Sequence, residues 1–248
     1  MDQTFIFDLD DTLMNNQHDY TYPQLDFVKF VVNRIGNKAP DAQTIINLQV
    51  NEDLELLKSW KKQGKAFSKE RFPTSFRNAY EKICSPLGIK DKKGKEKAYE
   101  IGKKAFDENR WRKQGLVSGA EDVLDFLNKE YDELILLTKG DKEIQKRKIN
   151  SNNLEDKFDK TIIVPFKDKE TLEEVISDRD RSFVWHVGNS IKSDVFPAYE
   201  AGIGMIYIPC ETWAWEKKHH GLPDYQRLIK IENIKDIKNI YDELWNFY

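Results

Sequence analysis

The chain has 248 residues, 33% charged and 39% hydrophobic, with a formal net charge of -3 at pH 7. That length can bury one large core or two unequal ones, and that charge gives no global reason to expect nucleic acid or an anionic membrane as a partner. No run approaches the roughly 18 apolar residues of a membrane span, no leader pattern opens the chain, and Cys84 and Cys210 suggest neither a metal cluster nor a disulfide framework, so a cytoplasmic protein is expected.

The first element is Phe5-Ile6-Phe7, a short buried strand by its aromatic and β-branched content. It runs into Asp8-Leu9-Asp10-Asp11-Thr12, which places three carboxylates within four positions. Asp8 and Asp10 are two apart, so along an extended chain their side chains share a face. Two such anions about 4 Å apart repel by roughly 1 kcal/mol in water and roughly 4 at an effective dielectric of 20. A bound hard cation is the simplest offset, since Mg²⁺ prefers oxygen ligands. A solvated acidic turn is the plainer alternative.

Residues 15–115 then carry helical spacing without a convincing strand. Leu25, Val28, Val31, Val32 and Ile35 mark one helix, which Gly36 can stop, and Asp41 caps a second containing Ile45, Ile46, Leu54 and Leu57. Pro73 opens a third with Phe76, Tyr80 and Ile83. A fourth is predicted from Lys95 to Trp111, with Ala98, Ile101, Ala105 and Phe106 inward. This region reads as a helical domain inserted directly behind the acidic octad. Its lysine-rich stretch, Lys90 to Lys104, reads as a solvated helix face rather than an anion site.

From Leu116 the rhythm becomes alternating strands and helices. Ser118 and Glu121 form an S-x-x-E capping box for a helix with Val123, Leu124 and Leu127 buried. Leu134–Leu137 is a strand ending at Thr138-Lys139-Gly140, and a polar helix follows from Lys142 to Asn150. Thr161–Val164 is the next strand, leading through Pro165 to Lys167. Helix 169–177, strand 183–187, loop 188–194, helix 195–201 and strand 204–208 complete the series. Trp213 and Trp215 read as packing residues, and His219 and His220 have no spaced partner for a metal. Ile234, Ile237, Tyr241 and Leu244 suggest a C-terminal amphipathic helix.

This alternation implies an α/β fold, a doubly wound, mostly parallel sheet with helices on both faces, formed by residues 1–14 and 116–248 around the 15–115 insert. In such sheets ligands sit outside the carboxyl ends of the strands. That rule selects Asp8, Asp10, Thr138, Lys167, Asn189 and Asp194, each just past a strand.

With these residues assembled, the sequence resembles the haloacid dehalogenase-like hydrolase superfamily, whose commonest members are phosphatases. The D-x-D-x-T signature stands as Asp8-Leu9-Asp10-Asp11-Thr12, and the hydroxyl residue after an apolar strand is Thr138. The lysine ahead of a helix is Lys167, with Lys169 as the alternative, and the fourth motif is Gly188-Asn189 through Asp194. A helical insert behind the first motif is similar to the C1-type cap of this superfamily. The resemblance implies a Rossmann-like core and an aspartyl-phosphate mechanism, with Asp8 as nucleophile and Asp10 as general acid and base. It implies phosphate binding by Thr138, Lys139 and Lys167, and Mg²⁺ held by Asp8, the Asp10 carbonyl and the fourth motif. There the chain departs from the usual pattern, because Asn189 stands where an aspartate is usual. Either Asn189 is a neutral ligand or Asp194 supplies the charge.

The expected substrate is a small phosphorylated molecule of unspecified identity, and the sequence leaves the oligomeric state open. A C–halogen dehalogenase shares the nucleophile but has no leaving alkoxide, which makes Asp10 superfluous. A phosphomutase uses the same residues. A phospho-accepting receiver module orders similar groups but lacks so long an insert.

Overall fold

The structure, a computed structural model, describes residues 2–210 and 221–247, so Trp213, Trp215, His219 and His220 lie outside the described residues. In chain order, strand β1 (Thr4–Phe7) is followed by helices α1 (Gln17–Ile35), α2 (Ala42–Lys61), α3 (Arg71–Cys84), α4 (Lys92–Lys103) and α5 (Glu108–Gln114). Then come α6 (Ala120–Lys129), β2 (Glu133–Lys139), α7 (Lys142–Ser151), β3 (Lys160–Val164), α8 (Lys169–Ile176) and β4 (Val184–Gly188). A π-helical turn at Ile191–Val195, α9 (Phe196–Ala201), β5 (Gly204–Tyr207), β6 (Leu228–Lys230) and α10 (Ile237–Ile240) complete the order. The chain divides into two compact units: residues Gln17–Arg110, and the rest.

The α/β unit holds a six-stranded sheet in the order β3-β2-β1-β4-β5-β6, with every pairing parallel. From β1 the chain winds outward through β2 and β3, then returns to the other side of β1 for β4, β5 and β6. The direction therefore reverses beside β1, where an open α/β sheet presents its crevice. Alternate residues feed opposite faces. Ile6, Ile135 and Leu137 join a core with Leu172, Ile176, Val195 and Ala198, whereas the Phe5 and Phe7 rings lie 6.4 and 6.0 Å from Tyr241 and Phe158. β1 is wholly buried and reads as a continuous apolar run.

The helical unit packs around Phe27, Phe72, Phe76 and Tyr80, with Phe72 and Phe76 edge to face at 4.9 Å. Asp41 caps α2 by accepting from the Thr44 N–H at 3.0 Å, as its position predicts. Most of the lysines between Lys90 and Lys104 are exposed, in keeping with a solvated face.

Several sequence expectations need correction. Leu25 and Val32 are exposed; Val31 is buried as predicted, and Phe27, outside the predicted set, joins it in the buried stripe of α1. The predicted fourth helix is two helices. Asp91 accepts from the Gly94 N–H and starts α4 early, and an extended Asp107 breaks the run before α5. The Ser118–Glu121 capping box does not form, because Gly119 takes a left-handed φ of 88° and itself caps α6. The amphipathic C-terminus buries Ile234, Ile237, Tyr241 and Leu244 as predicted, but as short 3₁₀ and α segments rather than one helix. Strand β6, three residues long, is too short to show periodicity and was not anticipated.

Candidate active site

At the carboxyl end of β1 the chain leaves the sheet at Asp8, whose N–H still donates to the Val187 carbonyl of β4 at 2.9 Å. Asp8 is therefore seated at the point where the strand order reverses. The Lys167 ammonium donates to Asp8 Oδ1 and to Asp194 Oδ1, 2.5 Å from each, and all three side chains are buried. Asp194 is committed on both oxygens, since His186 Nε2 lies 3.1 Å from Oδ1 and the Ser190 N–H donates to Oδ2 at 2.8 Å. Gly188 makes this possible, because a Cβ there would sit 2.5 Å from the Asp194 carboxyl carbon. Of the two candidate lysines, Lys167 is the buried one, and Lys169 is exposed at the start of α8.

The electrostatics follow from one cation shared by two anions in a dry place. Burial pushes the Asp8 carboxyl up to about 7 against the pull of Lys167, and the nearby Asp194 charge adds to the rise. Burial also opposes a charge on Lys167, but the flanking Asp194 and Asp8 carboxylates outweigh it and hold the ammonium charged beyond the ordinary lysine range. Asp194 is buried too, yet Lys167 and then His186 hold it below the usual carboxylate range. Burial lowers His186, which favours a neutral ring.

Asp10 occupies a second cluster. Its Oδ1 accepts from the Lys148 ammonium at 2.6 Å and its Oδ2 from the Gln145 amide at 3.0 Å. The same Gln145 amide donates to Thr138 Oγ1 at 2.6 Å, and Lys148 also donates to Asn16 Oδ1 at 2.6 Å. Asp11, with a φ of 61°, turns the chain and accepts at 2.7 Å from the N–H of Asn16, the residue whose side chain Lys148 holds. Thr138 and Lys139 are the last residues of β2, and the Lys139 ammonium donates to the Ser193 hydroxyl. The Thr12 hydroxyl donates to Asn189 Oδ1 at 3.4 Å, joining the first and fourth motifs.

The structure thus sorts the predicted residues into an Asp8–Lys167–Asp194 group and an Asp10–Thr138 group. Sequence reasoning missed His186, Gln145, Lys148 and Asn16. His186 sits in an apolar strand, and Gln145 and Lys148 sit in a helix read only as polar. Their three-residue spacing was the available signal.

Among the described residues no three or more histidine, cysteine, aspartate or glutamate side chains gather as a metal group. The donors that the motifs nominate are the Asp8 carboxylate, which accepts from Lys167, the Asn189 amide oxygen, which accepts from Thr12, and the Asp10 main-chain carbonyl. All are oxygens, and Mg²⁺ keeps several waters, so this small set suits that ion.

No protein-family model and no curated protein matches the sequence. Solved structures do match the fold. A haloacid dehalogenase-like family hydrolase from Xanthomonas campestris superimposes with a TM-score of 0.72 at 21% identity, covering 98% of this chain and 96% of that one. A magnesium-bound putative hydrolase of the same kind from Bacillus subtilis gives 0.60 at 14% identity, over 98% of both chains. The L-2-haloacid dehalogenase of Xanthobacter autotrophicus gives 0.56 at 14% identity, over 98% of this chain and 99% of that one. The chain has the fold of the haloacid dehalogenase-like hydrolases.

Proposed function

We propose that the protein is a Mg²⁺-dependent phosphatase acting on small phosphate monoesters through an aspartyl-phosphate on Asp8. The helical unit is its cap and selects the leaving group. One observation carries this reading: a second carboxylate, Asp10, lies two residues beyond the buried Asp8–Lys167 pair and is held by its own lysine and amide. Displacement of halide from carbon leaves no alkoxide to protonate, so the acid half of Asp10's work, protonation of a departing oxygen, is called for when the leaving group is an alcohol.

In this mechanism an Asp8 oxygen attacks phosphorus, the P–O bond to the alcohol breaks, and Asp10 delivers a proton to the departing oxygen. Asp10 then takes a proton from the water that hydrolyses the aspartyl-phosphate. Thr138 donates its hydroxyl to a phosphoryl oxygen, with Lys139 nearby. Lys167 holds Asp8 in line and offsets developing charge.

Charge counting supports the need for a cation. Asp8, Asp10 and Asp194 stand against Lys148 and Lys167, and adding Lys139 brings these residues only to neutrality. A phosphate dianion approaching that rim meets no surplus of positive charge. Asp8, the Asp10 carbonyl and Asn189 would hold Mg²⁺, with Asp194 supporting from behind Lys167; when bound it supplies the positive charge that stabilises the phosphoryl oxygens.

Dehalogenation is the second reading. It is favoured by the neutral Asn189 in the fourth motif and by the dehalogenases among the structural neighbours. A panel of phosphorylated metabolites and 2-haloacids, assayed for phosphate and halide release with and without Mg²⁺, separates the two. Phosphate release that requires Mg²⁺ supports the phosphatase. Halide release indifferent to Mg²⁺ overturns it.

A further inference from the structure

We infer that Lys148 and Gln145 are positioning residues that hold the acid–base carboxylate of Asp10 and the phosphate-binding hydroxyl of Thr138 in one fixed arrangement. The inference rests on the phosphatase reading and extends it to two residues outside the four motifs.

The geometry is built, not incidental. Asp141 caps α7 by accepting from the Glu143 and Ile144 N–H groups at 3.0 and 3.3 Å, which fixes the first turn of that helix. Gln145 and Lys148 are three apart and so share a face of α7. Both are 2% exposed, although long polar side chains are rarely buried without a reason. Gly140, at φ 154°, leaves room for Gln145, since a Cβ there would lie 3.1 Å from the Gln145 Cγ and Cδ atoms. The Lys148 ammonium is ringed by Asp10 Oδ1, Asn16 Oδ1 and the face of Trp111, 5.8 Å from the ring centroid.

Two chemical consequences follow from who donates. Lys148 and Gln145 each donate to a different oxygen of Asp10, so the carboxylate cannot rotate about its C–C bond without losing one of them. Gln145 also donates to Thr138 Oγ1, which makes that oxygen an acceptor on the protein side. The Thr138 hydroxyl proton is thereby left for a ligand oxygen. One amide thus sets both the acid–base group and the phosphate donor, and one ammonium holds the carboxylate against the loop that ends at Asn16.

The test compares kcat/KM, which reads every step through departure of the alcohol, on an alkyl phosphate and on p-nitrophenyl phosphate. The nitrophenolate leaves with little need of a proton. Lys148→Met is expected to lower kcat/KM on the alkyl phosphate about 100-fold, within the range of general acid catalysis, and on p-nitrophenyl phosphate less than about 10-fold. Gln145→Leu, nearly isosteric, is expected to lower both, because it also frees Thr138. Thermal melts of both variants identify any loss through unfolding, which would lower the two substrates equally. A parent that cleaves both esters, with Lys148→Met folded and equally impaired on both or on neither, overturns the positioning role while leaving the phosphatase intact. A parent that releases no phosphate from any ester overturns the phosphatase reading and this inference with it.

Discussion

Asp91 in the helical unit and Asp8 in the α/β unit are the same residue type with a cation beside each, and they behave oppositely. Asp91 bonds Arg34 at 2.8 Å, the Gly94 N–H at 2.9 Å and the Tyr80 hydroxyl at 2.9 Å near the surface. The Arg34 hydrogen bond, then that N–H, hold its carboxyl below the usual range. Asp8 has a lysine at 2.5 Å and is nevertheless pushed up, because burial outweighs the partner. Asp91 sits where water helps to solvate its charge. Asp8, with Lys167 and Asp194, is buried where its charge is costly, at the carboxyl edge of the sheet. A costly charge retained at a sheet's carboxyl edge is the mark of a working site rather than of a stabilising one.

Substitutions can break that contrast. Asp8→Asn is expected to lower phosphate release by about four orders of magnitude or more if Asp8 is the nucleophile, read as kcat under saturating substrate. Lys167→Met leaves two buried carboxylates without their cation and should cost about 3–5 kcal/mol in urea unfolding. Arg34→Met, at the half-exposed pair, should leave the melting temperature close to the parent's.

The burial of Asp8 also gives stability a pH dependence. The folded Asp8 value near 7 lies above the ordinary 3.8, so between those values the folded protein keeps a proton that the unfolded chain has lost. The contribution of Asp8 to stability therefore falls as pH rises from about 4 to about 7, and is flat above. Asp194, held low, acts only below the ordinary carboxylate range. Asp8→Asn should accordingly be more stable than the parent at pH 8 by about 2 kcal/mol, with the advantage shrinking towards pH 4. An advantage independent of pH would contradict the assignment. The smallest effect is at the fourth motif. Asn189→Asp adds a negative donor and should tighten Mg²⁺ binding about tenfold by calorimetric titration; no gain would count against Asn189 as a ligand.

The sheet was legible in the sequence because its strands are short apolar runs closed by turn residues, and alternation with helices leaves few topologies to choose from. Asp8, Thr138, Lys167 and Asn189 were legible for the same reason, as each follows such a run. Residues whose importance depends on which helix face turns inward were not. Gln145 and Lys148 lie in KEIQKRKINS, where three other basic residues conceal Lys148, the one that is buried. His186 is hidden by apolar neighbours in β4, and its bond to Asp194 exists only after the π-helical turn has brought the chain back. The Ser118–Glu121 box failed because Gly119 between them was free to take a backbone that serine disfavours at that point.

Whether Asp8 becomes covalently phosphorylated can be read by trapping the intermediate. The protein, loaded with Mg²⁺ and a turned-over phosphate ester, is quenched in acid and its peptides are read by mass spectrometry. A phosphoryl group is expected on Asp8 and absent from Asp8→Asn. Sustained phosphate release with no adduct on Asp8, or with the adduct on another residue, would contradict Asp8 as the nucleophile.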